Sequence, residues 1–173
     1  MAHHQHLERI VGLAPFLRPS VMRLIELCEV KLARQVMIVS SWRSVQEQAL
    51  LYQKGRSMDR ETGDWIISDL AQVVTKAKPG TTAHNVITRA GAPASCAVDL
   101  IPLHPDGSCD WAVSADWWDQ VYELSWKCGL DPLGDSIGAM LRGDMGHFEE
   151  PAWRLKLDGL GLMLPISTSP VQV

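Results

Sequence analysis

Two histidines and two carboxylates, spread from residue 84 to residue 147, constrain this chain more than any other feature in it. They lie in three short segments rich in apolar and small residues: Ala83-His84, Cys96-Ala97-Val98-Asp99 and Gly143-Asp144-Met145-Gly146-His147-Phe148-Glu149. His84, Asp99 and His147 offer two imidazole nitrogens and a carboxylate, a ligand set that suits one zinc ion. Catalytic zinc commonly keeps three protein ligands and an open fourth position for water. Asp144, three residues before His147, is spaced to reach that water. Any fold that uses these residues together must bring positions 84, 99 and 147 to one point. A lone Asp-x-x-His is common by chance, however, and most buried histidines are satisfied core residues. The pattern alone therefore leaves an ordinary core reading open.

The chain has 173 residues, 46% of them hydrophobic and 21% charged, which fits one soluble domain with a core that needs no staples. A net charge of −4 argues against a general nucleic-acid binder, which would carry a basic surface. Cys28, Cys96, Cys109 and Cys128 have no Cys-x-x-Cys spacing and read as reduced thiols. No stretch approaches the roughly 18 apolar residues of a membrane span. Ile10 to Leu17 is short and broken by Gly12 and Pro15, so it does not read as a signal peptide. The expectation is cytoplasmic synthesis without stable membrane association, and a monomer.

Along the chain, Val21, Leu24, Ile25, Cys28 and Leu32 mark one face of a helix over Val21 to Ala33. Val36-Met37-Ile38-Val39 reads as a buried strand. Ser44-Val45-Gln46-Glu47 has the pattern of a capping box, opening a helix that Gly55 stops. Arg43 then stands at a strand-to-helix corner, as a surface ion-pair arginine or one projecting into a cleft. Thr62-Gly63-Asp64 suggests a hairpin or flap, and Val73-Val74-Thr75 an extended element. His84 falls in a loop, and Asn85 to Ser95 reads as a loop or insertion. Cys96 to Ile101 reads as a strand whose period of two sets Ala97 and Asp99 on one face and Cys96, Val98 and Leu100 on the other. His104-Pro105-Asp106-Gly107 is a turn, and His104 a loop residue. Ser114 caps a helix with Trp117, Val121, Leu124, Ser125 and Cys128 at helical spacing, ended by Gly129. Trp117, Trp118 and Trp126 read as core. Leu130 to Arg142 reads as a loop. The organisation expected is a flexible segment 1–14, with His3, His4 and His6 in it, a domain 15–156, and a loosely packed tail 157–173.

The order of the pieces carries more than any one of them. Ser41-Trp42-Arg43-Ser44, Gln48-x-x-Leu51-Tyr52-x-x-Gly55-Arg56, Val74-Thr75-x-Ala77-Lys78-Pro79-Gly80-Thr81-Thr82-x-His84-Asn85, Ala97-Val98-Asp99-Leu100 and Asp144-x-x-His147-Phe148-Glu149 follow one another along roughly residues 15 to 153. Together they resemble the zinc D-alanyl-D-alanine carboxypeptidase and L-alanyl-D-glutamate endopeptidase family (VanY-like), in its phage-endolysin and cell-wall-hydrolase branch. The resemblance implies a compact α+β domain of the hedgehog/DD-peptidase type, with a small antiparallel sheet packed with helices and one zinc in a cleft. It assigns His84, Asp99 and His147 as ligands, Asp144 as general base, and Arg43 as the arginine that binds or polarises substrate near the scissile bond. Thr82 stands where the family usually has serine, and becomes a substrate-binding candidate. The partner implied is the peptidoglycan stem peptide, with the L-Ala–D-Glu bond favoured and D-Ala–D-Ala as the alternative. A non-catalytic wall-binding or structural phage protein is a further alternative. Such an enzyme would act on the cell wall after release from the cytoplasm. One departure stands out. Asp99 follows His84 by fifteen residues where the family usually has seven, so eight extra residues fall within Asn85 to Ser95.

Overall fold

The computed structural model describes residues 8–132 and 145–165. Its best-specified junction is the one written into Ser44 to Glu47. The Ser44 hydroxyl accepts from the Glu47 backbone N–H at 3.1 Å, and the Glu47 carboxylate accepts from the Ser44 N–H at 2.8 Å. This closed box starts helix α2 (Val45–Gln53), directly after strand β1 (Val36–Ser40). Helix α1 (Arg18–Leu32) precedes β1 and buries Val21, Leu24, Ile25 and Cys28, the stripe expected from its spacing. Gly55 follows α2 with φ at +72°, and a Cβ there would sit 2.4 Å from the Asp69 carbonyl oxygen. Only glycine meets both demands.

The expected hairpin forms as β2 (Arg56–Met58) against β3 (Trp65–Ile67), whereas Val73 to Thr75 pairs with no strand. The Asn85–Ser95 segment is tighter than a loose loop. Its short strand β4 (Ile87–Thr88) pairs with β8 (Leu162–Met163), and Ala94 N–H donates to the Val86 carbonyl at 3.1 Å. Strand β5 (Ala97–Pro102) comes next, then α3 (Ala115–Lys127), β6 (Asp131–Pro132), β7 (His147–Glu149) and the one-turn helix α4 (Trp153–Lys156). Ser114 caps α3 as read, its hydroxyl accepting from the Trp117 N–H at 3.4 Å.

An antiparallel sheet ordered β1-β5-β7-β6 is the centre of the molecule. Helices α1 and α3 cover one side of it, so the α+β class expected from the sequence is the class adopted. Phe148, fully buried, packs on Tyr122 of α3 with ring centroids 6.1 Å apart. Tyr122 Oη also donates to the Met145 carbonyl at 3.0 Å, which ties α3 to the chain entering β7.

Three sequence expectations change. Ile10, Leu13 and Ala14 are buried in the common core, and Ala14 N–H donates to the Ser95 carbonyl at 2.9 Å, so packing crosses the boundary expected at residue 15. Leu162 is buried and Leu164 packs against the core, so the chain beyond 157 is docked as far as residue 165. Trp126 is 51% exposed, because the buried face of α3 runs through Trp118 and Tyr122 and turns away from it. All four cysteines are free thiols, and burial pushes those of Cys28 and Cys96 up to about 12. Among the described residues no helix is long and apolar enough to cross a membrane.

Candidate metal centre and its cleft

Strand register brings the first two site residues together. In the β5–β7 ladder Asp99 is the direct partner of His147, and Ala97 of Glu149. Directly opposed side chains in an antiparallel pair share a face with Cβ atoms about 4.5–5.5 Å apart. Because Phe148 points into the core, His147 and Glu149 must point the other way. Asp99 and Ala97 lie on that same face, as the period of two predicted.

On the other side of β5, β1 carries a bulge. Ile38 pairs with Leu100 and Ser40 with Asp99, so two steps on β1 answer one on β5. Bulges of this kind bend the strand and re-aim side chains beside functional sites. Here the bulge delivers Ser40, Ser41 and Arg43 to the edge of the site. At Gly146 an added Cβ would come within 2.2 Å of the Leu100 carbonyl oxygen, so β7 can lie this close to β5 only with glycine there.

His84 arrives from the 3-10 turn Ala83–Asn85. Thr82 caps that turn, its hydroxyl accepting from the His84 N–H at 3.0 Å. The turn is held from both sides: Arg43 N–H donates to the His84 carbonyl at 3.0 Å, and Cys96 N–H to the Ala83 carbonyl at 2.9 Å. Asn85, buried, accepts from the Gly80 N–H at 3.0 Å and donates to the Arg43 carbonyl at 2.9 Å. The segment from Asn85 to Ser95 therefore closes on itself through a local turn, while its two ends stay pinned beside the site.

The three candidate ligands converge. His84 Nε2 lies 3.2 Å from Asp99 Oδ1 and 3.2 Å from His147 Nδ1, and His147 Nδ1 lies 2.9 Å from Asp99 Oδ1. Their partners set the tautomers. A carbonyl can only accept, so His84 Nδ1–H donates to the Ser41 carbonyl at 2.5 Å and leaves Nε2 with a lone pair. Likewise the Glu149 carboxylate, 3.4 Å from His147 Nε2, favours the proton there and leaves Nδ1 with a lone pair. Three electron-rich atoms then face one another at the separations found between ligands of a tetrahedral ion with bonds of about 2.0–2.1 Å. Such a group is repulsive until a cation or protons lie among its members. His84, Asp99 and His147 can thus hold a metal ion. Burial works to raise the Asp99 carboxyl, but the two histidines beside it outweigh burial and hold the carboxyl well below its ordinary range.

Arg43 is neither a plain surface arginine nor a free one. Its Nε donates to Ser40 Oγ at 2.9 Å, one terminal nitrogen to Gln48 Oε1 at 3.0 Å, and the other to Asp99 Oδ2 at 2.5 Å. Fully buried Gln48 in turn donates to the Ala77 carbonyl at 3.0 Å. This chain of bonds orients Asp99 from behind. Arg43, Thr82, His84, Asp99 and His147 all line one cleft of about 330 Å³, together with Glu149 and Arg154. Asp144 lies outside the described residues. His104 is not one of the converging residues and lies 3.7 Å from Asp110, in a loop as expected. Sequence reading gave Gln48 and Glu149 no role, although both lay within the quoted motifs. Only their long-range partners reveal what they do.

No protein-family model matches the chain, and no curated protein matches it by sequence. Solved structures do. The chain is similar to the L-Ala D-Glu endopeptidase ChiX of Serratia marcescens, with a TM-score of 0.52 at 13% identity over 87% of this chain and 90% of that one. It is equally similar to VanYB in complex with D-alanine-D-alanine, with a TM-score of 0.52 at 14% identity over 86% of this chain and 78% of that one. A third likeness is to a vancomycin-resistance D,D-pentapeptidase, VanY of a VanB-type cassette, in complex with Zn(II). There the TM-score is 0.52 at 14% identity over 80% of this chain and 72% of that one. At these identities the likeness is one of fold.

Proposed function

We propose that this chain is a zinc-dependent peptidoglycan hydrolase that cuts the L-Ala–D-Glu amide of the stem peptide, in the manner of a phage endolysin. The observation that carries the reading is the meeting of His84 Nε2, Asp99 Oδ1 and His147 Nδ1 within about 3 Å of one another on the wall of an open cleft. The fold it shares with ChiX and VanYB supports the same reading.

Zinc held there would polarise the scissile carbonyl and bring the pKa of its water toward neutrality. The protein's own groups do the rest. Ser41 and Glu149 fix the imidazole tautomers, so both histidines meet the ion as neutral ligands. Arg43 orients Asp99 and lines the cleft, and its planar fork suits it to binding or polarising substrate near the scissile bond. Asp144, by its spacing from His147, takes the proton from the attacking water and hands it to the leaving amine.

The test is mass spectrometry of fragments released from purified peptidoglycan. Zinc-loaded protein is expected to expose new amino termini at D-Glu. Asp144→Ala should keep zinc and lose most turnover, whereas His147→Ala should lose zinc. Release of D-alanine instead would make the chain a carboxypeptidase. Silence from folded, zinc-loaded protein would leave a wall-binding role, and normal turnover by Asp144→Ala would remove the base assignment.

A further inference from the structure

Two arginines line the cleft, and they are in different states. Arg43 spends its Nε and both terminal nitrogens on Ser40, Gln48 and Asp99, and Asp99 neutralises its charge. Arg154 makes one hydrogen bond, from a terminal nitrogen to the Thr81 carbonyl at 2.7 Å, and among the described residues it pairs with no carboxylate. Its guanidinium lies 4.3 Å over the ring of Trp153, which is itself buried. The turn that presents it passes through Ala152 at φ +52°, a left-handed conformation that alanine adopts at a cost. A guanidinium stacked on a fixed ring has already lost much of its rotamer freedom, so it binds an anion with little further ordering. The carboxylates of the cleft wall, Asp99 and Glu149, face the histidines and Arg43.

We propose that Arg154 is the specificity-determining residue of the cleft, and that it reads a free α-carboxylate on the substrate residue at the leaving side of the scissile amide. The inference rests on the peptidoglycan reading above. In a stem peptide D-Glu continues the chain through its γ-carboxyl, which leaves its α-carboxylate either free or capped as an amide. Arg154 would favour the free form and discriminate against the amidated one.

The test uses zinc-loaded full-length protein and L-Ala–γ-D-Glu–L-Lys analogues whose scissile amide is replaced by an uncleavable ketomethylene, carrying either the α-carboxylate or the α-carboxamide. By calorimetry the wild type should bind the carboxylate about tenfold more tightly, the size of one charge-assisted contact. Arg154→Gln retains a donor for the Thr81 carbonyl but no charge, and should bind both analogues alike. Arg154→Lys should keep part of the preference. Equal affinities in the wild type, a preference that survives in Arg154→Gln, or no measurable binding of either analogue would overturn the proposal. Cleavage of the corresponding natural peptides separates the two readings. Preference without cleavage keeps Arg154 and removes the hydrolase, whereas cleavage without preference does the reverse.

Discussion

His147 reaches the cluster through Nδ1, and that choice of nitrogen depends on Glu149 two residues along the same strand. A histidine ligand whose far nitrogen donates to a carboxylate is oriented and made more basic, and removing such a partner typically lowers metal affinity about 10- to 100-fold. Glu149→Ala should therefore weaken zinc binding by about that factor while leaving the fold intact, since Glu149 sits on the cleft side of β7, away from the core. Glu149→Gln still accepts from Nε2–H and should recover much of the loss. Competition with a chromophoric chelator measures both, and equal affinities for wild type and Glu149→Ala would show that the 3.4 Å contact does nothing for the metal. Arg43 teaches the same lesson at this scale. Its sequence position alone admitted a surface arginine, the resemblance implied one near the scissile bond, and its contact with Asp99, 56 residues away, sets it on the cleft wall.

Among the elements, α2 is the one whose start depends most openly on pH. The Ser44 backbone N–H, then the Ser44 side chain, hold the Glu47 carboxyl below its ordinary 4.5. A depressed folded-state pKa adds stability that is complete above the unfolded value and is lost as pH falls through the folded value. Ser44→Ala should cost about 1 kcal/mol at neutral pH. That deficit should shrink below about pH 4 without vanishing, because the bond from Glu47 N–H to Ser44 Oγ does not titrate. Urea unfolding of both proteins at pH 7 and pH 3.5 checks this, and a deficit constant across that range would mean that the Ser44 hydroxyl adds nothing to the Glu47 carboxylate beyond the backbone N–H, which alanine keeps. The box was legible from four residues because every partner is local. Strand β5 was legible for a related reason, since period two shows within six residues. The β4–β8 pair was not, because two-residue strands carry no period and their pairing joins residues over seventy apart. Trp126 was misread because helical spacing gives the width of an apolar stripe but not which edge of it meets the sheet.

Across the whole molecule, the core and the metal centre are built on opposite faces of the same sheet. Leu13, Val21, Leu24, Ile38, Val98 and Phe148, all essentially buried, need no ion to pack. The three candidate ligands, by contrast, contribute acceptor atoms that repel one another without a cation or protons. Metal-free protein should thus stay folded, with the native far-ultraviolet spectrum and a cooperative melt, but at reduced stability. Zinc at about 100 times its dissociation constant would add about 2.7 kcal/mol by mass action. For a chain of this length that corresponds to a rise in Tm of about 5–10 °C. His147→Ala should melt at one temperature with or without zinc, whereas Asp144→Ala, which keeps the proposed ligands, should show the full shift. Calorimetry in chelator and in excess zinc distinguishes the cases. Collapse of the wild type in chelator would mean that the ion holds the sheet together, and the cleft would then be a structural zinc site in place of a catalytic one.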